Sequence, residues 1–214
     1  KKERIFYLCT VCRFVKKKNL FNLVISYKKF QDKFPKYKNA KLKIAGSGPL
    51  REILNLKIKN ENISSVELVG PISYIDLPKF YSESKGMLLL STSEQWGLVT
   101  NEALNCGIPV LISERCGSKE LIKEDINGYI VNPNDINSIS LKIKNLVELS
   151  NKEDTKSKCR ESISKLNTFN FSNSCLKASM KSQKKKFKLL GFFFITILLF
   201  LKNFKITELQ KFEA

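Results

Sequence analysis

Two glutamates, Glu94 and Glu102, bracket Gly97 in the segment SEQWGLVTNEALNCGIPVL. Gly97 opens a run that reads as a helix, so the backbone N–H groups of Gly97, Leu98 and Val99 point into whatever lies in front of it. With the positive end of the helix dipole they form an anion site suited to a pyrophosphate. On a single helix, eight residues would offset the two glutamates by about 80°. With Glu94 in the loop instead, both carboxylates can flank one ligand. They would accept hydrogen bonds from sugar and ribose hydroxyls and leave the phosphates to cations and amides. Taken alone, two glutamates eight apart also fit a solvated helix face. Their placement around a helix-opening glycine favours the ligand.

Other clusters share that placement. Arg13 through Lys18 follows a first apolar run, Gly46-Ser47-Gly48-Pro49 a second and Gly70-Pro71-Ile72-Ser73 a third. Glu94-Gln95-Trp96-Gly97 follows the fourth, and Glu114 through Ser118 the fifth. Arg13 stands directly at a strand end, where a guanidinium can face phosphates, whereas Lys16 and Lys17 fit a solvated loop. Gly46 and Gly48 make a tight loop with Pro49 near the first helical turn. The dinucleotide fingerprint needs a third glycine where Arg51 stands, and no P-loop sequence occurs. Cations, pliant backbone and carboxylates together suit a phosphorylated, hydroxyl-rich ligand.

The elements that must position these residues alternate through the first 135 positions. Strands are expected at Ile5–Cys12, Lys41–Ala45, Val66–Val69, Gly86–Leu90, Val110–Ile112 and Tyr129–Val131. Helices are expected between them: a first through Leu20, Leu23, Val24, Tyr27, Phe30 and Phe34, then Leu50–Lys59, Leu77–Ser84, Leu98–Asn105 and Lys119–Lys123. The fold class is therefore α/β, a doubly wound parallel six-stranded Rossmann-like sheet. In such a sheet, ligands bind beyond the carboxyl ends of the strands, where all five clusters fall. Beyond Pro133 the pattern is helical, with helices at Ile136–Val147, Asp154–Leu166 and Phe171–Lys181.

The end changes character. Lys184–Lys188 is basic, and Leu189–Leu201 is thirteen residues without a charge. That helix would be roughly 20 Å long, against a bilayer core of about 30 Å. Residues 181–214 read either as a peripheral membrane contact or as a tail outside the fold, after a domain spanning 1–180.

The net charge is +18, which raises the question of nucleic acid. The cations are overwhelmingly Lys, with Arg only at Arg4, Arg13, Arg51, Arg115 and Arg160, and the lysines lack the interleaved aromatics of a single-strand platform. No nucleic-acid partner is expected. Cys9 and Cys12 form a lone C-x-x-C in a strand, where an odd separation sends side chains to opposite faces. The chain contains no His, so no metal site is expected, and the thiols read as buried in a reducing, cytoplasmic setting.

Together these segments resemble the retaining glycosyltransferases of GT-B architecture, family 4, also called glycosyltransferase group 1. The resemblance covers about residues 5–180, the family's C-terminal donor-binding domain. SEQWGLVTNEALNCGIPVL is similar to its E-x7-E signature and following strand, and CRFVKKKNL to its Arg–Lys phosphate clamp. LKIAGSGPL, VELVGPIS and CGSKELIKEDINGYIV are similar to its other strand ends. The resemblance implies a nucleotide-diphosphate sugar as donor substrate, a saccharide or lipid-linked acceptor, retention of configuration and no cofactor. It implies Glu94, Arg13 and Lys18 as the catalytic set. Glu94 would bind sugar hydroxyls and Glu102 the ribose. Gly46, Gly48, Gly97, Leu98 and Val99 would line the donor, with Ile72 near the base. Trp96 departs from the family's smaller aromatic, and Cys12 from its glycine. The family's N-terminal domain, with the acceptor site and an active-site His, is missing, so the chain is expected to be a piece of a longer enzyme. Two other classes remain: a non-catalytic nucleotide or polyanion-binding module at a membrane surface, and a sugar epimerase of the same architecture.

Overall fold

The computed structural model describes residues 6–164. The expected helix at 171–181, the end of the one at 154–166 and the segment 181–214 lie outside the described residues. All six strands form: β1 (Tyr7–Val11), β2 (Lys41–Ala45), β3 (Val66–Gly70), β4 (Met87–Leu89), β5 (Val110–Ser113) and β6 (Gly128–Val131). They make one parallel sheet in the order β3-β2-β1-β4-β5-β6. Residues of β4 and β5 are buried throughout, which is why these strands read as unbroken apolar runs.

Side chains alternate across the strands and build two cores. Leu8, Leu42, Ile44, Leu88 and Leu111 face one side. There they meet Leu23, Tyr27 and Phe30 of α1 (Leu20–Lys33), Leu54 and Ile58 of α2 (Arg51–Asn60), and Ile139, Ile143 and Leu146 of α5 (Ile136–Leu149). Cys9, Met87, Leu89, Val110 and Ile112 face the other side. They pack on Tyr81 of α3 (Leu77–Ser82), Ala103 and Leu104 of α4 (Leu98–Asn105), and Cys159 of α6 (Thr155–Ile163). Cys9 belongs to the second core and Cys12 packs against the first, the opposite-face arrangement that the C-x-x-C spacing implies. The helix expected at Lys119–Lys123 is instead a 3-10 turn over Gly117–Leu121. Its Lys119 and Ile122 amides bond three residues back, to Cys116 O and Lys119 O. No described helix is long and apolar enough to cross a membrane.

Candidate functional site

The strand order reverses between β1 and β4, and the carboxyl ends at such a switch point are where sheets of this kind bind ligands. Chain from the loops that leave these two strands meets there. The Lys18 ammonium contacts Glu94 Oε2, with the two side chains only 13% and 14% exposed. Ser91 Oγ lies 3.5 Å from the same oxygen. The pair is held from behind by main chain: Thr92 N–H donates to Lys17 O at 2.8 Å, seating the short Lys16–Lys18 turn against the loop after β4. Asn19, left-handed at φ 56°, turns the chain into α1, and its Nδ2 donates to Pro133 O at 2.8 Å.

The loop after β5 braces the same place. Glu94 N–H donates to Arg115 O at 3.2 Å, Gly117 N–H to Glu94 O at 3.0 Å, and Ser118 N–H to Trp96 O at 3.0 Å. Gly97 then starts α4 with φ 94°, a left-handed conformation that a side chain would strain. A Cβ there would also meet Leu89 Cδ2 at 3.0 Å and Glu94 Cγ at 3.3 Å. Among the described residues no acceptor takes the amides of Gly97, Leu98 or Val99; the first bond of the turn is Thr100 N–H to Gly97 O, 2.9 Å. These are the orphan donors of a helix N-terminus, available to an anion. Buried Ser118 fixes them, its hydroxyl 2.9 Å from Thr100 Oγ1 and 3.4 Å from Gly97 O. Trp96 is pinned by its own Nε1–H to Asn101 Oδ1, 2.9 Å. Ser118→Ala is expected to lower stability by about 1 kcal/mol, the worth of one buried hydrogen bond, and chemical denaturation would measure it.

Glu102 lies in the second turn of α4, half-buried, and is not paired with Glu94. The Tyr81 hydroxyl donates to Glu102 Oε2 at 3.0 Å. Sequence reasoning missed Tyr81, because an apolar-patterned helix absorbs a tyrosine as core. Burial, and after it the negative charge of Glu102, holds this phenol far above its usual titration range, so it remains a donor.

Arg13 is exposed at the end of β1, and no partner takes its guanidinium among the described residues. Its main chain is well fixed: Phe14 N–H donates to Ser47 O at 2.8 Å and Leu50 N–H to Phe14 O at 3.1 Å. Gly46 and Gly48 make this stacking of two loops possible. A Cβ on Gly46 would collide with the Cys12 carbonyl, and one on Gly48 would lie 2.7 Å from Phe14 N and O. The Gly46 amide is already spent on Gly70 O, 2.7 Å. Both glycines thus have a packing reason that holds with or without a ligand. Ile72 is half-buried beyond β3, with Tyr74 and Ile75 exposed after it. Burial pushes the Cys12 and Cys116 thiols, near the Lys18–Glu94 pair, up to about 11, so neither is a thiolate nucleophile at neutral pH. No group of three or more His, Cys, Asp or Glu side chains among the described residues is arranged to hold a metal ion.

Residues 1–165 match the family model for the glycosyl transferases group 1. Over 107 residues the chain is 35% identical to an uncharacterized glycosyltransferase of Methanocaldococcus jannaschii, an alignment covering 48% of this chain and 26% of that protein. Over 131 residues it is 25% identical to the alpha-monoglucosyldiacylglycerol synthase of Acholeplasma laidlawii, covering 61% of this chain and 32% of that one. Among solved structures, its fold is similar to that of S. aureus TarM, with a TM-score of 0.71 at 24% identity over 82% of this chain and 36% of that chain. It is similar also to the pneumococcal O-GlcNAc transferase solved in complex with UDP and GlcNAc, with a TM-score of 0.69 at 23% identity over 82% and 35%. The chain spans about a quarter to a third of the length of these curated relatives.

Proposed function

The chain belongs to the glycosyl transferases group 1, and from that premise we propose that its carboxyl-edge crevice binds a nucleotide-diphosphate sugar for retaining transfer to a saccharide or lipid-linked acceptor. The subgroup is family 4 and the transferred unit a hexose. The observation that carries this reading is the meeting, at one topological switch point, of the Lys18–Glu94 pair and the unpartnered amides of Gly97, Leu98 and Val99.

The chemistry follows from where charge develops. As the bond between the sugar and the diphosphate breaks, negative charge grows on the leaving oxygen. Lys18 and the α4 amides are held in place before the reaction, so they stabilise that charge with little reorganisation, and the exposed Arg13 guanidinium adds a cation at the same edge. No cofactor enters this scheme, since the nucleotide sugar is a substrate. Glu94 accepts hydrogen bonds from the sugar and Glu102 from the ribose. Ile72 borders the base, and Gly46 and Gly48 hold the ledge that carries Arg13. The acceptor site and a proton-handling group come from an N-terminal GT-B domain outside this chain. The setting is cytoplasmic, where nucleotide sugars are made, with residues 181–214 as a peripheral membrane contact.

A polyanion-binding module fits less well, because two carboxylates in the crevice would repel a polyanion while suiting a hydroxyl-rich ligand. Calorimetric titration with UDP, GDP and ADP separates the two. Saturable binding of one nucleotide is expected, weakened about 10- to 100-fold by Glu102→Ala, the worth of hydrogen bonds to a charged group. Binding that ignores Glu102→Ala and vanishes with added salt would overturn the donor-site reading.

A further inference from the structure

Tyr81 is the member of this crevice to which neither charge nor glycine content points. Tyr81 is 1% exposed, sunk in the second core beside α4. The helix that carries it is fastened to the sheet by another tyrosine: Tyr7 OH, on β1, donates to Phe80 O at 2.6 Å. The Tyr81 hydroxyl therefore leaves a rigid origin and ends on Glu102 Oε2 at 3.0 Å.

A glutamate on a helix surface has three rotatable side-chain bonds, and ordering it costs up to about 2 kcal/mol. A carboxylate has two oxygens and about four lone-pair sites. One bond from a buried phenol fixes the group and leaves most of those sites for a ligand. We infer that Tyr81 is a positioning residue for ribose recognition: its hydroxyl holds the Glu102 carboxylate in the orientation in which the remaining lone pairs meet the ribose hydroxyls. This rests on the reading of Glu102 as the ribose acceptor. Tyr81 touches no substrate itself.

The test titrates the full chain with UDP and with 2′,3′-dideoxy-UDP, comparing wild type with Tyr81→Phe; the corresponding GDP or ADP pair replaces them if that nucleotide is the one bound. The Tyr81→Phe variant removes one oxygen and keeps the ring in the core, and its thermal midpoint is recorded alongside. UDP affinity is expected to fall about fivefold, because the loosened carboxylate must be ordered on binding and regains only part of the loss, while the dideoxy nucleotide binds both proteins equally. An equal loss for both nucleotides would show a merely structural tyrosine and overturn the inference, as would an unchanged UDP affinity. Failure of the wild type to bind UDP, GDP or ADP would overturn the donor-site reading and this inference with it.

Discussion

On the proposed donor-site reading, Glu94→Ala is expected to lower sugar transfer about 10³-fold while leaving affinity for the free nucleotide diphosphate intact or a few-fold tighter. The carboxylate is assigned to sugar hydroxyls, and losing two hydrogen bonds to a charged acceptor is worth roughly 3–6 kcal/mol. The opposite trend for the nucleotide comes from Lys18. In the structure its ammonium is committed to Glu94 in a pair that is mostly shielded from water. Removing the carboxylate leaves a partly buried cation without its counter-ion, and a diphosphate is the ligand that restores the balance. Glu94→Gln would keep the shape and share the transfer defect. Parallel measurements of transfer rate and nucleotide affinity check this: transfer within tenfold of wild type, or an equal loss of both, would contradict the role given to Glu94.

Gly46→Ala should destabilise the fold by about 3 kcal/mol or more, with Gly70→Ala as its control. Gly46 has φ 128° and its would-be Cβ points into the Cys12 carbonyl, whereas Gly70 has φ 82° with nothing within 4 Å. Both substitutions strain the backbone by about 1 kcal/mol. Only Gly46 adds a collision with main chain, which must move because a carbonyl cannot rotate away. Since that carbonyl precedes Arg13, the displacement reaches the crevice as well as the core. Urea unfolding of the two variants would show the difference, and equal stabilities would mean that the two loops are not packed as described.

Much of this fold is legible in the sequence, for physical reasons that also mark where legibility ends. Met87–Leu89 and Val110–Ser113 announce themselves because strands covered on both faces have no polar side to show. Helix α1 is visible through Leu20, Leu23, Val24, Tyr27 and Phe30, which all come out buried. The clusters after each strand gather at one edge because a parallel sheet puts every carboxyl end on the same side. The pairing of Lys18 with Glu94 is another matter. These residues are 76 apart, and their meeting depends on β1 lying next to β4, an adjacency that no local pattern encodes. Tyr81 escaped because burial and function ask for the same residue there. The 3-10 turn at Gly117–Leu121 escaped because its cause is non-local: Gly117 sits against the Gln95 carbonyl, a tertiary packing that overrides the helical pattern of the following residues. The glycines of the Gly46–Gly48 loop were noticeable, but their reason, the backbone of Cys12 and Phe14 pressed against them, is visible only in three dimensions.

A nucleotide sugar bound at the switch point would lie against the loop that carries Trp96. It is the only tryptophan in the chain, it lies between Glu94 and Gly97, and its indole is tied to Asn101 of α4. Titration with the nucleotide sugar, followed by Trp96 fluorescence at several salt concentrations, is predicted to give a saturable change. Its midpoint should match the calorimetric affinity and shift on Glu102→Ala. Calorimetric binding that leaves Trp96 emission unaltered and is indifferent to both Glu94 and Glu102 would place the ligand elsewhere and contradict donor binding at the switch point.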